Sequence, residues 1–300
     1  MESAPGFNEV IRQWSVDPVW MALGTLALLA YGFGFRRARN LGFEHPGWRF
    51  AMFGAGVLLT VISILSPIEH YSRQLLWVDF TGFLLLTMIV PPLILLGAPL
   101  TLAFRASGGR GRAQWRSFYR SRTFGALTFP VVTWLLFAVA TYLWQFSALT
   151  EWAQDHAAVR DLQQASLLLV GLLFWMPAIA ADPIRWRLNY PLRTLYVFVE
   201  MTHKSLFGGM FLSMNTAMHA SFAAQAPPWA PDALTDQRMA ILILWIGGNL
   251  IFVVALVGLI IGWIRYEQRN QHRTDYRLRL QSEAKLRRRA ALEKVFEKSV

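Results

Sequence analysis

The chain has 300 residues, of which 55% are hydrophobic and 16% charged, with a formal net charge of +11 and no cysteine. The charged share is well below that of an ordinary soluble domain, and the lack of cysteine excludes disulfides and thiolate metal sites. The positive balance sits mostly in loops and in the C-terminal tail, where an anionic membrane surface accounts for it; membrane lipid, not nucleic acid, is the expected partner.

A helix needs about 20 apolar residues to cross the hydrocarbon. Seven stretches qualify as coarse spans: 19–35, 50–67, 76–97, 124–146, 163–181, 192–217 and 239–264. Asp17-Pro18 and Arg36-Arg37 bracket the first. Residues 1–18 lack a basic n-region and an apolar h-region, so no cleavable leader is expected and the first span is expected to stay as a signal anchor. The loop after span one carries Arg36, Arg37, Arg39 and Arg49. The loop after span three is richer still, with Arg105, Arg110, Arg112, Arg116, Arg120 and Arg122, and the loop after span five holds Arg185, Arg187 and Arg193. The alternate loops are acidic or nearly neutral: Glu151, Asp155 and Asp161 against Arg160, then Asp232 and Asp236 against Arg238. The positive-inside rule puts the N-terminus outside and the C-terminus in the cytoplasm. The expected fold is all-α: a polytopic membrane bundle of seven transmembrane helices within residues 1–264.

Two features punctuate the spans. Pro91-Pro92 lies inside the third, where it removes backbone donors and should kink the helix, leaving carbonyls that need partners in the bundle. Gly258 and Gly262 form a G-x-x-x-G pair in the seventh, a weak signal for close helix contact. Residues 265–300 form a basic cytoplasmic tail with eleven Lys/Arg against five acids. Its Leu278, Leu286, Leu292, Val295 and Phe296 are scattered among good helix formers. A solvated helix near anionic lipid is the plain reading, and a docking arm for a partner is the sharper one.

Ionisable residues inside a membrane are functional candidates by default. Span six holds Glu200, His203 and Lys204, which share a helix face by i, i+3, i+4 spacing. They read either as a Glu200–Lys204 ion pair with His203 hydrogen-bonded to a neighbour, or as a metal or proton site. Met210, Met214 and Met218 recur every four residues towards its outer end, followed by His219. Thioether and imidazole ligands suit Cu(I), so Met214, Met218 and His219 are the candidate copper contact; plain packing is the competing reading of a methionine stripe. Asp79, Gln145, Arg160 and Gln164 all fall towards the outer face. No phosphate loop, zinc-protease motif or nucleophile triad is present.

Several segments together resemble the CtaG family of cytochrome c oxidase assembly factors, the kind associated with caa3-type oxidases. They are Trp48-Arg49-Phe50 with Phe53-Gly54, Ser66-Pro67-Ile68-Glu69 with Tyr71, the run from Val90-Pro91-Pro92 to Gly97-Ala98-Pro99-Leu100, Gly171-Leu172-Leu173-Phe174-Trp175, and Asp236-Gln237 with Trp245-Ile246 and Gly248-Asn249. The resemblance covers roughly residues 17–264. It implies a non-enzymatic assembly factor in a bacterial-type plasma membrane, with oxidase subunits as partners and copper as the linked metal. It also implies histidines where this chain has Asp79, Phe83, Gln145, Arg160 and Gln164. An Asp79–Arg160 ion pair, with the two glutamines filling hydrogen bonds around it, is the expected replacement for a metal. A copper or proton transporter or channel using the polar face of span six is the alternative.

Overall fold

A computed structural model describes residues 5–297, and every regular element in them is helical. After a single turn, α1 (Phe7–Val10), comes α2 (Pro18–Asn40). It starts at Asp17, whose Oδ1 accepts from the Val19 and Trp20 amides at 2.8 and 3.2 Å, with Pro18 pre-shaped for the first helical position. α3 (Gly47–Leu65) stops at Ser66, whose hydroxyl caps the short α4 (Pro67–Ser72).

The third apolar stretch is interrupted. α5 (Leu76–Leu84) passes through a π turn, Leu85–Ile89, into α6 (Val90–Leu96). Pro91 and Pro92 follow that turn directly, and Trp175 Nε1 donates to the Thr87 carbonyl at 3.1 Å. A carbonyl that a proline cannot serve is thus satisfied from a neighbouring helix, as a buried backbone oxygen in lipid requires. Ala98, at φ 51°, then redirects the chain into α7 (Pro99–Ala106).

α8 (Gly109–Arg120) and α9 (Arg122–Leu127) make up the basic connection. α10 (Pro130–Gln145) bends by 61° into α11 (Leu149–Asp155). The fourth stretch was expected from residue 124, but its long helix begins only at Pro130, because a residue before proline is steered out of the α region. α12 (Ala157–Ile179) and α13 (Tyr190–Leu212) follow, then α14 (Ala220–Gln225). α15 (Ala233–Leu242) runs through a second π turn, Ile243–Gly247, into α16 (Gly248–Glu297). No helix break falls between span and tail at residues 264 and 265. The side chains of Leu278, Leu292, Val295 and Phe296 lie outside the described residues; Leu286 is exposed.

Among the described residues, five helical stretches are long and apolar enough to cross a membrane, and the bent α10–α11 pair raises the number to six. The seven expected from sequence exceed this by one. The difference is α13, which is 23 residues long but carries Arg193, Glu200 and Lys204. Large apolar side chains such as Leu26, Leu29 and Phe33 of α2 are more than 60% exposed, a surface that suits hydrocarbon and not water.

Contacts sort into two ends. At the acidic-loop end, the Ser15 amide donates to Leu65 O, Trp20 Nε1 to Asp161, and the Leu76 and Trp77 amides to Asp236. At the basic-loop end, Tyr31 Oη donates to Gly97 O at 2.6 Å, and Asp182 accepts from the Leu100 and Thr101 amides at the start of α7. Between the ends lies an aromatic core of Phe80, Phe83, Phe137, Phe174, Trp175 and Phe252. Gly171 lets α12 approach Pro91 and the Thr87 backbone, where a Cβ would stand 2.8 Å from the proline ring.

Candidate functional site

At the acidic-loop end, α4, α5 and α12 converge on the side chain of Arg160. Its Nε and Nη2 donate to Glu69 Oε1 and Oε2 at 3.2 and 3.1 Å, a bidentate fork. Nη2 also donates to Ser72 Oγ at 2.6 Å. Nη1 donates to Asp79 Oδ1 at 2.7 Å and to Gln163 Oε1 at 3.1 Å. Gln164 Nε2 donates to Glu69 Oε2 at 2.7 Å. Arg160 and Asp79 are 6% and 4% exposed, so water contributes little screening. Arg73, on the exposed rim, reaches Glu69 Oε1 at 3.4 Å and supplies the second positive charge against two carboxylates.

The expected Asp79–Arg160 contact is therefore present, but it is the smaller part of the site. Glu69, which the sequence reading quoted only as part of a motif, takes the fork. Its helix has six residues and belongs to no apolar stretch, so a rule that flags ions inside spans passes over it. Ser72 and Gln163 were missed because neither is ionisable, so a rule that flags ions passes over both.

Asp79, Phe83, Gln145, Arg160 and Gln164 all line one small cavity, with about 20 Å³ open to the centre of a water molecule, enough for one water. Asp79 Oδ2 and both carboxamide atoms of Gln145 line it without a hydrogen-bond partner. A wider cleft of about 410 Å³ lies beside it, between the segment from Gln13 to Asp17 and the side chains of Glu69, Arg73, Arg160 and Asp161.

Copper is the metal that the resemblance implies, and this cavity does not fit it. Phe83 has no donor atom, a guanidinium fills the centre, and the free donors are hard oxygens and an amide. Among the described residues, no group of three His, Cys, Asp or Glu side chains is placed to hold a metal ion.

Along α13 the polar residues part company. Glu200 Oε2 lies 3.3 Å from His203 Nδ1, and His203 Nε2 is 2.8 Å from Tyr142 Oη. The expected Glu200–Lys204 ion pair is not formed. Lys204 instead places Nζ over the rings of Phe83, Phe137 and Phe252, at 5.3, 5.3 and 5.9 Å, and 3.5 Å from Met88 Sδ. Rings on α5, α10 and α16 enclose the ammonium, and their negative faces substitute for a carboxylate. The polar face of α13 is thus divided into separate contacts.

Met214 and Met218 do not share a helix face, because α13 ends at Leu212. Ser213, the residue after the last helical turn, donates its Oγ back to Met210 O at 2.6 Å. Met218 donates its amide to Gln237 Oε1 at 2.7 Å. His219 is buried, with Nε2 3.0 Å from Gln145 O; a carbonyl only accepts, so Nε2 carries the proton.

These features define a class: a multi-pass helical membrane protein with a buried, charge-balanced cluster near one end. Residues 29–266 match the Caa3_CtaG family, cytochrome c oxidase caa3 assembly factor. The chain belongs to that family. It is also 27% identical over 279 residues to uncharacterised proteins of Mycobacterium bovis, Mycobacterium tuberculosis and Mycobacterium leprae. The alignment covers 90% of this chain but only 42% of each relative, so the chain spans less than half the length of these proteins. No solved structure matches.

Proposed function

We propose that the chain is a non-catalytic assembly factor for a respiratory cytochrome c oxidase, embedded in a bacterial-type plasma membrane with oxidase subunits as its partners. It crosses seven times, with α13 as the crossing that carries its charges inward, the N-terminus outside and the tail in the cytoplasm. The observation that carries this reading is the convergence of Asp79, Phe83, Gln145, Arg160 and Gln164, from three helices distant in sequence, on one cavity of a bundle whose residues 29–266 match the family. The Arg160 cluster ties α4, α5 and α12 together at that point. The test is deletion of the gene, followed by oxidase activity and haem spectra of the membranes. Loss of assembled oxidase, restored by the native gene, supports the proposal; normal oxidase levels reject it.

We assign copper handling to Met214, Met218 and His219. Supporting this is the orientation of His219, whose proton is fixed on Nε2 by Gln145 O, the arrangement that leaves the other ring nitrogen free as a ligand. Cu(I) titration of the purified protein and of a Met214→Leu, Met218→Leu variant decides it. Weaker binding by the variant supports the assignment, and equal binding rejects it.

A further inference from the structure

A second cavity, of about 500 Å³, lies between α6 and α16 in the basic-loop half of the bundle. Pro92, Leu93 and Leu96 form one wall, Ile251, Val254 and Leu259 the other, and Trp175 and Met88 close the deep end. The stretch of α16 that lines it runs from Ile251 to Gly262, about 16 Å at 1.5 Å per residue. That is about half of the ~30 Å hydrocarbon thickness, the depth of one leaflet.

The shallow end is built differently. Arg193 is 7% exposed, with Nε donating to Leu188 O at 2.8 Å and its guanidinium 5.0 Å from the Tyr190 ring centre. That hydrogen bond uses only Nε, and Arg193 lines the cavity with two Nη groups, four donors, besides. Among the described residues, no carboxylate lies within ion-pair distance of it. The Tyr266 ring lies tilted against Tyr190 at 5.5 Å, and Arg187 and Arg265 lie close in sequence to these two tyrosines. A guanidinium that lines a membrane cavity and has no carboxylate in ion-pair range suits an anion.

The glycine pair of α16 belongs to this cavity. Gly262 packs on Tyr190, where a Cβ would stand 3.1 Å from the ring, but a Cβ on Gly258 would meet nothing within 4 Å. Gly258 therefore widens the cavity; it does not bring two helices together.

We infer that this cavity is a binding site for one anionic phospholipid, with an acyl chain between α6 and α16 and the phosphate on Arg193. A leaflet-deep apolar slot with a cation at its mouth matches the two halves of that molecule, and basic pockets between transmembrane helices are known to take acidic head groups. The inference rests on the chain being a membrane protein and is independent of the oxidase reading.

The test is native mass spectrometry of the full chain in mild detergent, titrated with phosphatidylglycerol or phosphatidylcholine. The expected result is one bound phosphatidylglycerol, half-saturating at a concentration at least tenfold below that for phosphatidylcholine. Gly258→Phe should weaken both lipids at least tenfold, while Gly258→Ala, which leaves the slot open, binds as the native protein does. Arg193→Gln should remove the preference and keep the phosphatidylcholine affinity. Should Gly258→Phe not fold, Gly258→Leu gives the same reading with a smaller block. Unchanged binding in the blocked variant, an unchanged preference in Arg193→Gln, or a quinone or peptide in place of the phospholipid overturns the proposal.

Discussion

Lys204 holds its ammonium 5.3 Å from the centre of the Phe83 ring, one helical turn along α5 from Asp79, which holds the guanidinium of Arg160. Two successive turns of one helix thus each receive a buried cation, one through a carboxylate and one through a π face. Arg160 is saturated with acceptors, whereas Lys204 has three rings and a thioether. Their responses to substitution should differ accordingly.

Arg160→Ala should cost about 3–5 kcal/mol, because it strands two buried carboxylates. Asp79→Ala should cost less, about 1–3 kcal/mol, since it removes one charged hydrogen bond and leaves Arg160 forked onto Glu69. The double variant should be about as unstable as Arg160→Ala alone, because Glu69 still lacks its partner. Unfolding midpoints in micelles give the cycle; equal damage from the two single changes would show that Glu69 is not the main partner.

Lys204→Met should be at least as stable as the native protein. It replaces a desolvated cation that has no carboxylate within ion-pair distance with an unbranched thioether of similar length. Phe83→Leu in the native background should destabilise by about 1–2 kcal/mol through the lost ring face, and by less once Lys204 is methionine. A marked loss of stability in Lys204→Met contradicts this account.

His45 supplies a pH dependence. Tyr31 has one hydroxyl proton and donates it to Gly97 O, so His45 Nε2 must donate to Tyr31 Oη, and Nδ1 is left buried without a partner. Burial first, then the nearby positive charges of Arg49 and Arg105, hold the imidazole below its usual range. The folded state resists a proton that the unfolded state accepts near pH 6.5. Stability from this group is therefore present above about pH 6.5 and declines as the pH falls below it. Comparing unfolding at pH 8 and pH 5.5 should show a smaller acid loss in His45→Gln than in the native protein; equal losses contradict it.

Topology is checked with reporter fusions. A fusion after residue 264 should report the cytoplasm, and one within 150–158 the outside. The same signal from both excludes an odd number of crossings between them and the seven-crossing arrangement with it.

Charge and hydropathy made the helical membrane class legible, since both survive without knowledge of packing. The Asp79–Arg160 pair became legible through the family resemblance, which implies histidines at both positions, since Arg160 by itself reads as a charge of the loop after span four. The fork to Glu69 was not, because nothing local ties a six-residue helix to a position 91 residues away. The spacing of Glu200 and Lys204 suggested a pair, yet i, i+4 proximity decides only what can meet. The surrounding rings from α5, α10 and α16 decided where the ammonium went. The methionine stripe is not one helix face, because a period in sequence says nothing about where the helix stops, and α13 stops at Leu212.

The two π turns carry a consequence for insertion and deletion. Each winds one residue more than an α-helical turn, so each advances the phase of everything beyond it by about 100°. In the third stretch that phase step allows Asp79 to face Arg160 while Met88 touches Lys204 and Gly97 presents its carbonyl to Tyr31. Removing one residue between Leu85 and Ile89 would leave a smoother helix, with the side chains of both sites intact and the two halves out of step.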